Sequence, residues 1–145
     1  MELSLQHLTQ KQEILQTYDI YKACMFLPSR EKFARKVESF LADDTVKVFA
    51  CFDGKTLQGV AALAFSAPHQ ATLLGIAVAE SARRQGIGSY MLRCAAEAFG
   101  LCSVYAETDD DAVGFYRRFG FDTTPTVEIY DGQSVTRYHC EWKKA

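Results

Sequence analysis

The sequence lacks the features that mark membrane proteins and nucleic-acid binders. Its apolar runs, such as residues 59–65, fall far short of the roughly 20 residues that a membrane helix needs, and no basic segment followed by an apolar one lies near Met1. A strong charge excess is also missing, because the net charge is only −2. Such a surface has no general attraction for nucleic acid or anionic lipid. We therefore expect a cytoplasmic protein with neither nucleic-acid nor membrane partners.

Paired cysteines are missing as well. The five cysteines are odd in number, lie mostly within apolar runs and show no Cys-x-x-Cys spacing. A disulfide framework or a zinc site needs paired spacing of that kind, so neither is expected. The sequence predicts no metal and a set of reduced, buried thiols: Cys24, Cys51, Cys94, Cys102 and Cys140.

Two common phosphate-binding motifs are absent too. There is no Gly-x-x-x-x-Gly-Lys-Ser/Thr, and the third glycine of the Gly-x-Gly-x-x-Gly fingerprint would fall at Met91. These absences argue against P-loop and Rossmann nucleotide-binding proteins.

The most informative segment that is present covers residues 72–99. Residues 73–79 are all apolar or glycine, which predicts a central strand covered on both faces. The helix that follows places Ile87, Met91 and other apolar residues on one face and ends before Gly100. A strand, a short turn and an amphipathic helix are thus expected at the centre of the fold.

We call residues 83–89 of this segment, Arg-Arg-Gln-Gly-Ile-Gly-Ser, the glycine turn. Its two glycines allow a ligand to approach the backbone closely. The first turn of a helix has unpaired N–H groups and partial positive charge, and the two arginines add full charges. These features predict a cradle for phosphate or pyrophosphate. The alternative is that the glycines serve tight packing alone.

The length and the order of the predicted elements indicate the fold. A chain of 145 residues that is 48% hydrophobic suits one globular domain, residues 1–145. The order β-α-α-β-β-β-α-β-α-β-β predicts an α/β (α+β) fold, with a central twisted mixed sheet of about six to seven strands flanked by about four helices. Strands are predicted at residues 2–6, 46–52, 58–66, 73–79, 103–107, 126–130 and 134–142, and helices at 9–25, 29–42, 87–99 and 109–119.

Two motifs carry a family resemblance. Arg83-x-x-Gly86-x-Gly88, after an apolar strand and opening a helix, resembles the Gln/Arg-x-x-Gly-x-Gly/Ala motif of the GNAT superfamily, the GCN5-related N-acetyltransferases. Residues 113–121, Val-Gly-Phe-Tyr-Arg-Arg-Phe-Gly-Phe, resemble that family's second signature, a helix with Phe-Tyr that ends in Gly-Phe. The two signatures stand at the family's separation, and the predicted element order is also that of the GNAT fold.

The resemblance implies a site for acetyl-CoA and no metal. The pyrophosphate would lie on the glycine turn, and the pantetheine arm would run beside the central strand, which in this family carries a bulge and splays from its neighbour. Asp109 stands where many members have an Asn that contacts the coenzyme. The implied coenzyme-binding residues are Ile76, Ala77, Val78, Arg83, Arg84, Gln85, Gly86, Ile87, Gly88, Ser89, Asp109 and Tyr116.

The resemblance also implies two catalytic roles. Tyr116 would protonate the leaving thiolate, although an aromatic residue on this helical face also suits a core position. Some members use a glutamate on the central strand as general base, but that position is Thr72 here. We therefore expect Glu107, at the end of the next strand, to take the proton of the amine, directly or through water. Its alternative is an exposed carboxylate without a catalytic role.

The predicted function is that of an acetyl-CoA-dependent N-acetyltransferase. The enzyme would bind acetyl-CoA and a primary amine in a ternary complex, in which the amine attacks the thioester directly. The four acidic residues within positions 107–111 favour a cationic acceptor, although acidic residues also suit the first turn of a helix. The acceptor would be a small molecule or a protein amine. A non-catalytic acyl-CoA-binding module of the same fold is the alternative, and a structural interaction domain is a third reading. Residues 135–142 are expected at a sheet edge, where a homodimer could form; a monomer fits equally.

Overall fold

The computed structural model describes all 145 residues and contains one seven-stranded sheet in the order β1-β2-β3-β4-β5-β7-β6. Neighbouring strands are antiparallel except β4 and β5, which are parallel. This confirms the predicted mixed sheet with the apolar strand at its centre. The strands are β1 (Leu3–Leu8), β2 (Val46–Asp53), β3 (Thr56–Ala67), β4 (Gln70–Val78), β5 (Ser103–Thr108), β6 (Asp122–Tyr130) and β7 (Gln133–Lys143).

Five α-helices accompany the sheet, one more than the four predicted. The single helix expected over residues 9–25 is wrong, because the structure has two short helices and a 3-10 turn there. The buried Thr17 interrupts the helix: both its N–H and its hydroxyl donate to the carbonyl of Ile14, three residues back. The helices are α1 (Lys11–Leu15), α2 (Tyr18–Tyr21), α3 (Arg30–Ala42), α4 (Ile87–Phe99) and α5 (Val113–Phe119), and 3-10 turns span Lys22–Cys24 and Glu80–Ala82. None of these helices is long and apolar enough to cross a membrane.

The helices cover the two faces of the sheet unequally. On the first face, α4 and α5 bury residues such as Met91 and Tyr116 against β3, β4 and β5. On the second face, α1 to α3 bury Phe33 and Val37 against β2, β3 and β4. Because these helices stop short of β5 and β7, Tyr105 remains 38% exposed on that face. The second face is therefore open next to the centre of the sheet.

The central strand β4 is bulged and separates from β5. Ala62 lies opposite Gly75 while Leu63 lies opposite Leu73, so Leu74 is an extra residue without a partner in β3. The pairing of β4 with β5 ends at Thr72, opposite Tyr105. The expectation that both faces of this strand are covered is therefore wrong at Leu74, which is 43% exposed where the two strands diverge.

Two further predictions need correction. Residues 135–142 do not form an edge, since β7 lies between β5 and β6 and its Cys140 is buried in the core; β6 is the edge strand. The cysteines are all free, but only Cys51 and Cys140 are buried. Cys24 and Cys102 are exposed when backbone and side chain are counted together, because they lie in short connections rather than in the core.

Candidate active site

A cleft of about 1210 Å³ opens where β4 and β5 diverge. Its walls come from β4, the glycine turn, the start of α4, the end of β5, α5 and the segment after α2. Every residue predicted for the site lines this cleft except Gln85. The predicted residues that it brings together are Ile76, Ala77, Val78, Arg83, Arg84, Gly86, Ile87, Gly88, Ser89, Glu107, Asp109 and Tyr116.

The glycine turn ends in an uncapped helix N-terminus. Gly86 has a φ of 78°, and a Cβ built there would meet nothing within 4 Å, so the space in front of the turn is open. No side chain caps α4, whose first backbone hydrogen bond runs from the Tyr90 N–H to the Gly86 carbonyl. The N–H groups of the first turn therefore have no partner within the helix, which is the arrangement that binds anions.

The two arginines and Gly88 of the glycine turn differ in their surroundings. Arg83 Nε donates to the Val78 carbonyl over 3.2 Å and ties the turn to the end of β4. Arg84 holds a φ of 66°, which strains a residue with a Cβ. A Cβ at Gly88 would lie 2.8 Å from the ring of Phe115 on α5. The packing alternative thus applies to Gly88, whose missing side chain lets α4 approach α5.

Tyr21 and Cys24, from α2 and the 3-10 turn after it, reach the bulge of β4. A Cβ at Gly75 would lie 2.3 Å from the Tyr21 hydroxyl oxygen and 3.1 Å from the Cys24 sulfur, so both side chains occupy the space beside this glycine. Cys24 Sγ also donates to the Tyr21 carbonyl over 3.2 Å. Burial raises the pKa of the Cys24 thiol to about 11. The thiol is therefore protonated and weakly nucleophilic near neutral pH.

The ring of Tyr116 is buried, and its hydroxyl lies at the wall of the cleft. The ring makes edge contacts with Phe115 and Phe121, at centroid distances of 5.2 and 5.1 Å. Its hydroxyl makes no hydrogen bond to the rest of the chain, and the residue lines the cleft. Burial is the main reason that the pKa of Tyr116 lies far above its ordinary value. The phenol is thus a protonated donor aimed at the cleft.

Glu107 belongs to a group of three polar side chains that we call the strand cluster: Tyr105, Glu107 and His139. His139 Nδ1 lies 3.2 Å from Glu107 Oε1 and 2.5 Å from the Tyr105 hydroxyl. Glu107 and His139 face each other in the pairing of β5 with β7. The sequence did not predict that His139 and Tyr105 lie beside Glu107, because nothing in either strand reveals that β7 pairs with β5.

Asp109 lies at the edge of the cleft but uses its carboxylate for local structure. Its Oδ1 accepts from the N–H groups of Asp111 and Ala112, at 3.0 and 3.1 Å, and so fixes the turn that leads into α5. Asp110, next to it, accepts from the Tyr138 hydroxyl over 2.7 Å. No group of His, Cys, Asp and Glu side chains is arranged to hold a metal ion.

The bulged central strand parts from its neighbour beside an uncapped helix N-terminus, so unpaired backbone groups line one extended cleft. The chain belongs to the acetyltransferase (GNAT) family, whose model matches residues 14–121. No curated protein sequence matches the chain significantly.

Solved structures agree on the fold at low sequence identity. A GNAT family acetyltransferase from Elizabethkingia anophelis with acetyl-CoA bound is 19% identical, with a TM-score of 0.71 and 99% of each chain covered. The ribosomal-protein-S18-alanine N-acetyltransferase from Escherichia coli is 18% identical, with a TM-score of 0.74, covering 97% of this chain and 93% of that one. A spermidine N-acetyltransferase variant from Vibrio cholerae is 16% identical, with a TM-score of 0.74 and coverage of 98% and 94%.

Proposed function

We propose that the protein is an acetyl-CoA-dependent N-acetyltransferase, in which a primary amine attacks the thioester directly in a ternary complex. One observation carries this proposal: a single cleft joins the open glycine turn to the free hydroxyl of Tyr116 and the carboxylate of Glu107. Membership of the acetyltransferase family and the acetyl-CoA-bound relative support the donor.

The glycine turn would hold the pyrophosphate of the coenzyme. The N–H groups from Arg84 to Ser89 are available to its oxygens, and Arg83 and Arg84 add positive charge at the same end of the cleft. Beyond Thr72, the backbone groups of β4 on the β5 side have no strand partner. Those backbone groups of Ile76, Ala77 and Val78 that point toward β5 would therefore offer hydrogen bonds to the pantetheine arm, apart from the Val78 carbonyl, which accepts from Arg83.

A free N–H of β4 would also stabilise the negative charge that develops on the thioester carbonyl oxygen. A preorganised donor of this kind lowers a reaction barrier by roughly 3 kcal/mol. Glu107 would accept the proton that the acceptor ammonium must lose before it attacks, and His139 and Tyr105 hold that carboxylate in place. Tyr116 would donate its hydroxyl proton to the sulfur as the carbon–sulfur bond breaks, and would be protonated again from solvent.

The overall reaction yields an N-acetyl product, free coenzyme A and one proton. A covalent route through Cys24 is disfavoured, because a thiol with a pKa of about 11 is mostly protonated at neutral pH. Direct attack by the amine needs no nucleophile from the protein. This agrees with a cleft whose only free thiol is held against Gly75.

Tyr116→Phe tests the proposal. We expect the rate of acetyl transfer at saturating acetyl-CoA to fall about 100-fold or more, since general acid catalysis contributes about 10²–10⁴-fold, while acetyl-CoA binding stays unchanged. Tyr130→Phe is the matched control, because Tyr130 is 51% exposed on the last hairpin, outside the cleft. Unaltered transfer by the Tyr116 variant would contradict its role. Wild-type protein that binds acetyl-CoA and transfers to no amine would instead support the non-catalytic acyl-CoA-binding module.

A further inference from the structure

We infer that the acceptor is an amine that carries a carboxylate close to its amino group, with the ammonium at Glu107 and the carboxylate at Arg137. This inference rests on the acetyltransferase function proposed above, and it concerns only which amines the cleft accepts. Neither motif includes Arg137, and the sequence analysis gave it no role.

Arg137 lies on the same face of the sheet as the strand cluster. Its position in β7 is two residues from His139, which faces Glu107 directly across the strands. The Cα atoms of diagonal neighbours of this kind are roughly 7–8 Å apart. Arg137 also lines the cleft, and its side chain is only 29% exposed. A positive and a negative side chain thus start from neighbouring positions on one wall of the cleft.

The guanidinium of Arg137 has few partners within the protein. Its one ion pair is with Glu128, at 3.9 Å from Nε, and the Glu128 side chain is 43% exposed. A guanidinium offers five N–H donors, and an exposed pair at this distance contributes little. Thr126, which faces Arg137 directly across β6 and β7, has a buried hydroxyl oxygen without a hydrogen-bond partner. Arg137 therefore keeps N–H donors on this wall that the chain itself leaves unsatisfied.

The spacing suits a compact zwitterion. Two hydrogen bonds of about 2.8 Å, with an amino group and a carboxylate one or two carbons apart between them, can link the ends of two long side chains that start from diagonal positions on neighbouring strands. Arg137 would bind the carboxylate through two parallel N–H donors, which orients the amine toward Glu107. An acceptor with several positive charges would instead meet the Arg137 charge and be repelled.

Arg137 is also close to the reacting end of the cleft. Burial is the largest cause of the raised pKa of Tyr116, and the positive charge of Arg137 acts against that rise. A carboxylate held by Arg137 would thus lie near the proposed general acid. The amine of the same molecule would then be within reach of the thioester that the β4 backbone holds.

The test compares matched acceptors with and without the carboxylate. Wild-type protein and Arg137→Gln are assayed with acetyl-CoA and three sets of amines: free amino acids, the corresponding amino-acid amides, and spermidine. We expect wild type to prefer an amino acid over its amide by about 10- to 100-fold in kcat/KM, and to acetylate spermidine poorly. In Arg137→Gln this preference should fall to near unity, mainly through a higher KM for the amino acid.

Arg117→Gln is the matched control, because it removes the same charge from α5 at a position outside the cleft, over the Tyr138 ring. It should keep the wild-type preference. Equal use of amino acids and amides by wild type, or transfer to the amides or spermidine alone, would overturn this inference while leaving the acetyltransferase function intact. Acetyl-CoA binding without transfer to any of the three sets would overturn this inference, and absence of transfer to protein amines as well would contradict the proposed function itself.

Discussion

The two ends of the cleft are built by different means. The glycine turn presents backbone N–H groups from one continuous segment, at the uncapped start of α4. The acceptor end presents side chains from several elements, with Glu107 on β5, Arg137 on β7 and Cys24 after α2. A backbone site tolerates most substitutions except those at its glycines. A side-chain site changes its chemistry with each residue, so one coenzyme can serve many acceptors on one fold.

The largest expected effect separates catalysis at the acceptor end from binding at the glycine turn. Glu107→Gln should lower acetyl transfer at neutral pH by about 100-fold, because the amide has no basic oxygen to accept the proton. Its affinity for acetyl-CoA, measured by calorimetry, should be unchanged. Glu141→Gln is the control on β7, where Glu141 is exposed and outside the cleft. A Glu107 variant with full activity would show that another group or water takes the proton.

A smaller effect, on the free energy of unfolding, should distinguish substitutions at the buried Gly75 from those at the open Gly86. Gly75→Ala should lower the free energy of unfolding by about 1–3 kcal/mol, because its Cβ would lie 2.3 Å from the Tyr21 hydroxyl. The Cβ added by Gly86→Ala would meet no atom within 4 Å. This variant should therefore lose only about 1 kcal/mol of the free energy of unfolding, because alanine disfavours the left-handed backbone conformation. Urea unfolding of both variants measures this. Tyr21→Phe in the Gly75→Ala background should recover part of the loss; no recovery would contradict the assigned clash.

The smallest effect concerns the reactivity of Cys24. Since burial raises its pKa to about 11, only about 0.1% is thiolate at pH 8, and alkylation by iodoacetamide should rise about tenfold per pH unit between pH 8 and 10. Acetyl-CoA should slow this labelling, because Cys24 lines the cleft, but should not slow that of Cys102, which lies outside it. Mass spectrometry of the labelled peptides follows both sites. A rate that levels off above pH 9 would contradict the raised pKa.

The same contrast explains what the sequence could predict. The strand, the glycine turn and α4 follow each other in the chain, so local patterns located the turn and the Gly100 end of the helix correctly. The strand cluster depends on β7 lying between β5 and β6, and no local pattern reports which strands become neighbours. For this reason the sequence placed β7 at an edge and gave Arg137 no role.

The helix predicted over residues 9–25 was also wrong, because a side-chain hydrogen bond ends α1 within it. Thr17 ends α1 by bonding back to Ile14, and this break leads into the 3-10 turn that carries Cys24 beside Gly75. Periodicity over residues 9–25 does not distinguish this from a continuous helix. The bulge at Leu74 likewise came from the family resemblance, because the run of apolar residues in β4 gives no sign of it.

Calorimetric titration with acetyl-CoA tests the central claim, that the glycine turn binds the coenzyme. The comparison uses wild type, Gly86→Glu and Gly132→Glu; Gly132 has nearly the same φ, 77°, and equally open surroundings, but lies in the last hairpin. We predict a Kd in the range of about 1–100 μM for wild type and Gly132→Glu, and affinity at least about 100-fold weaker for a folded Gly86→Glu. Absence of binding by folded wild type, or equal binding by Gly86→Glu, would contradict the account.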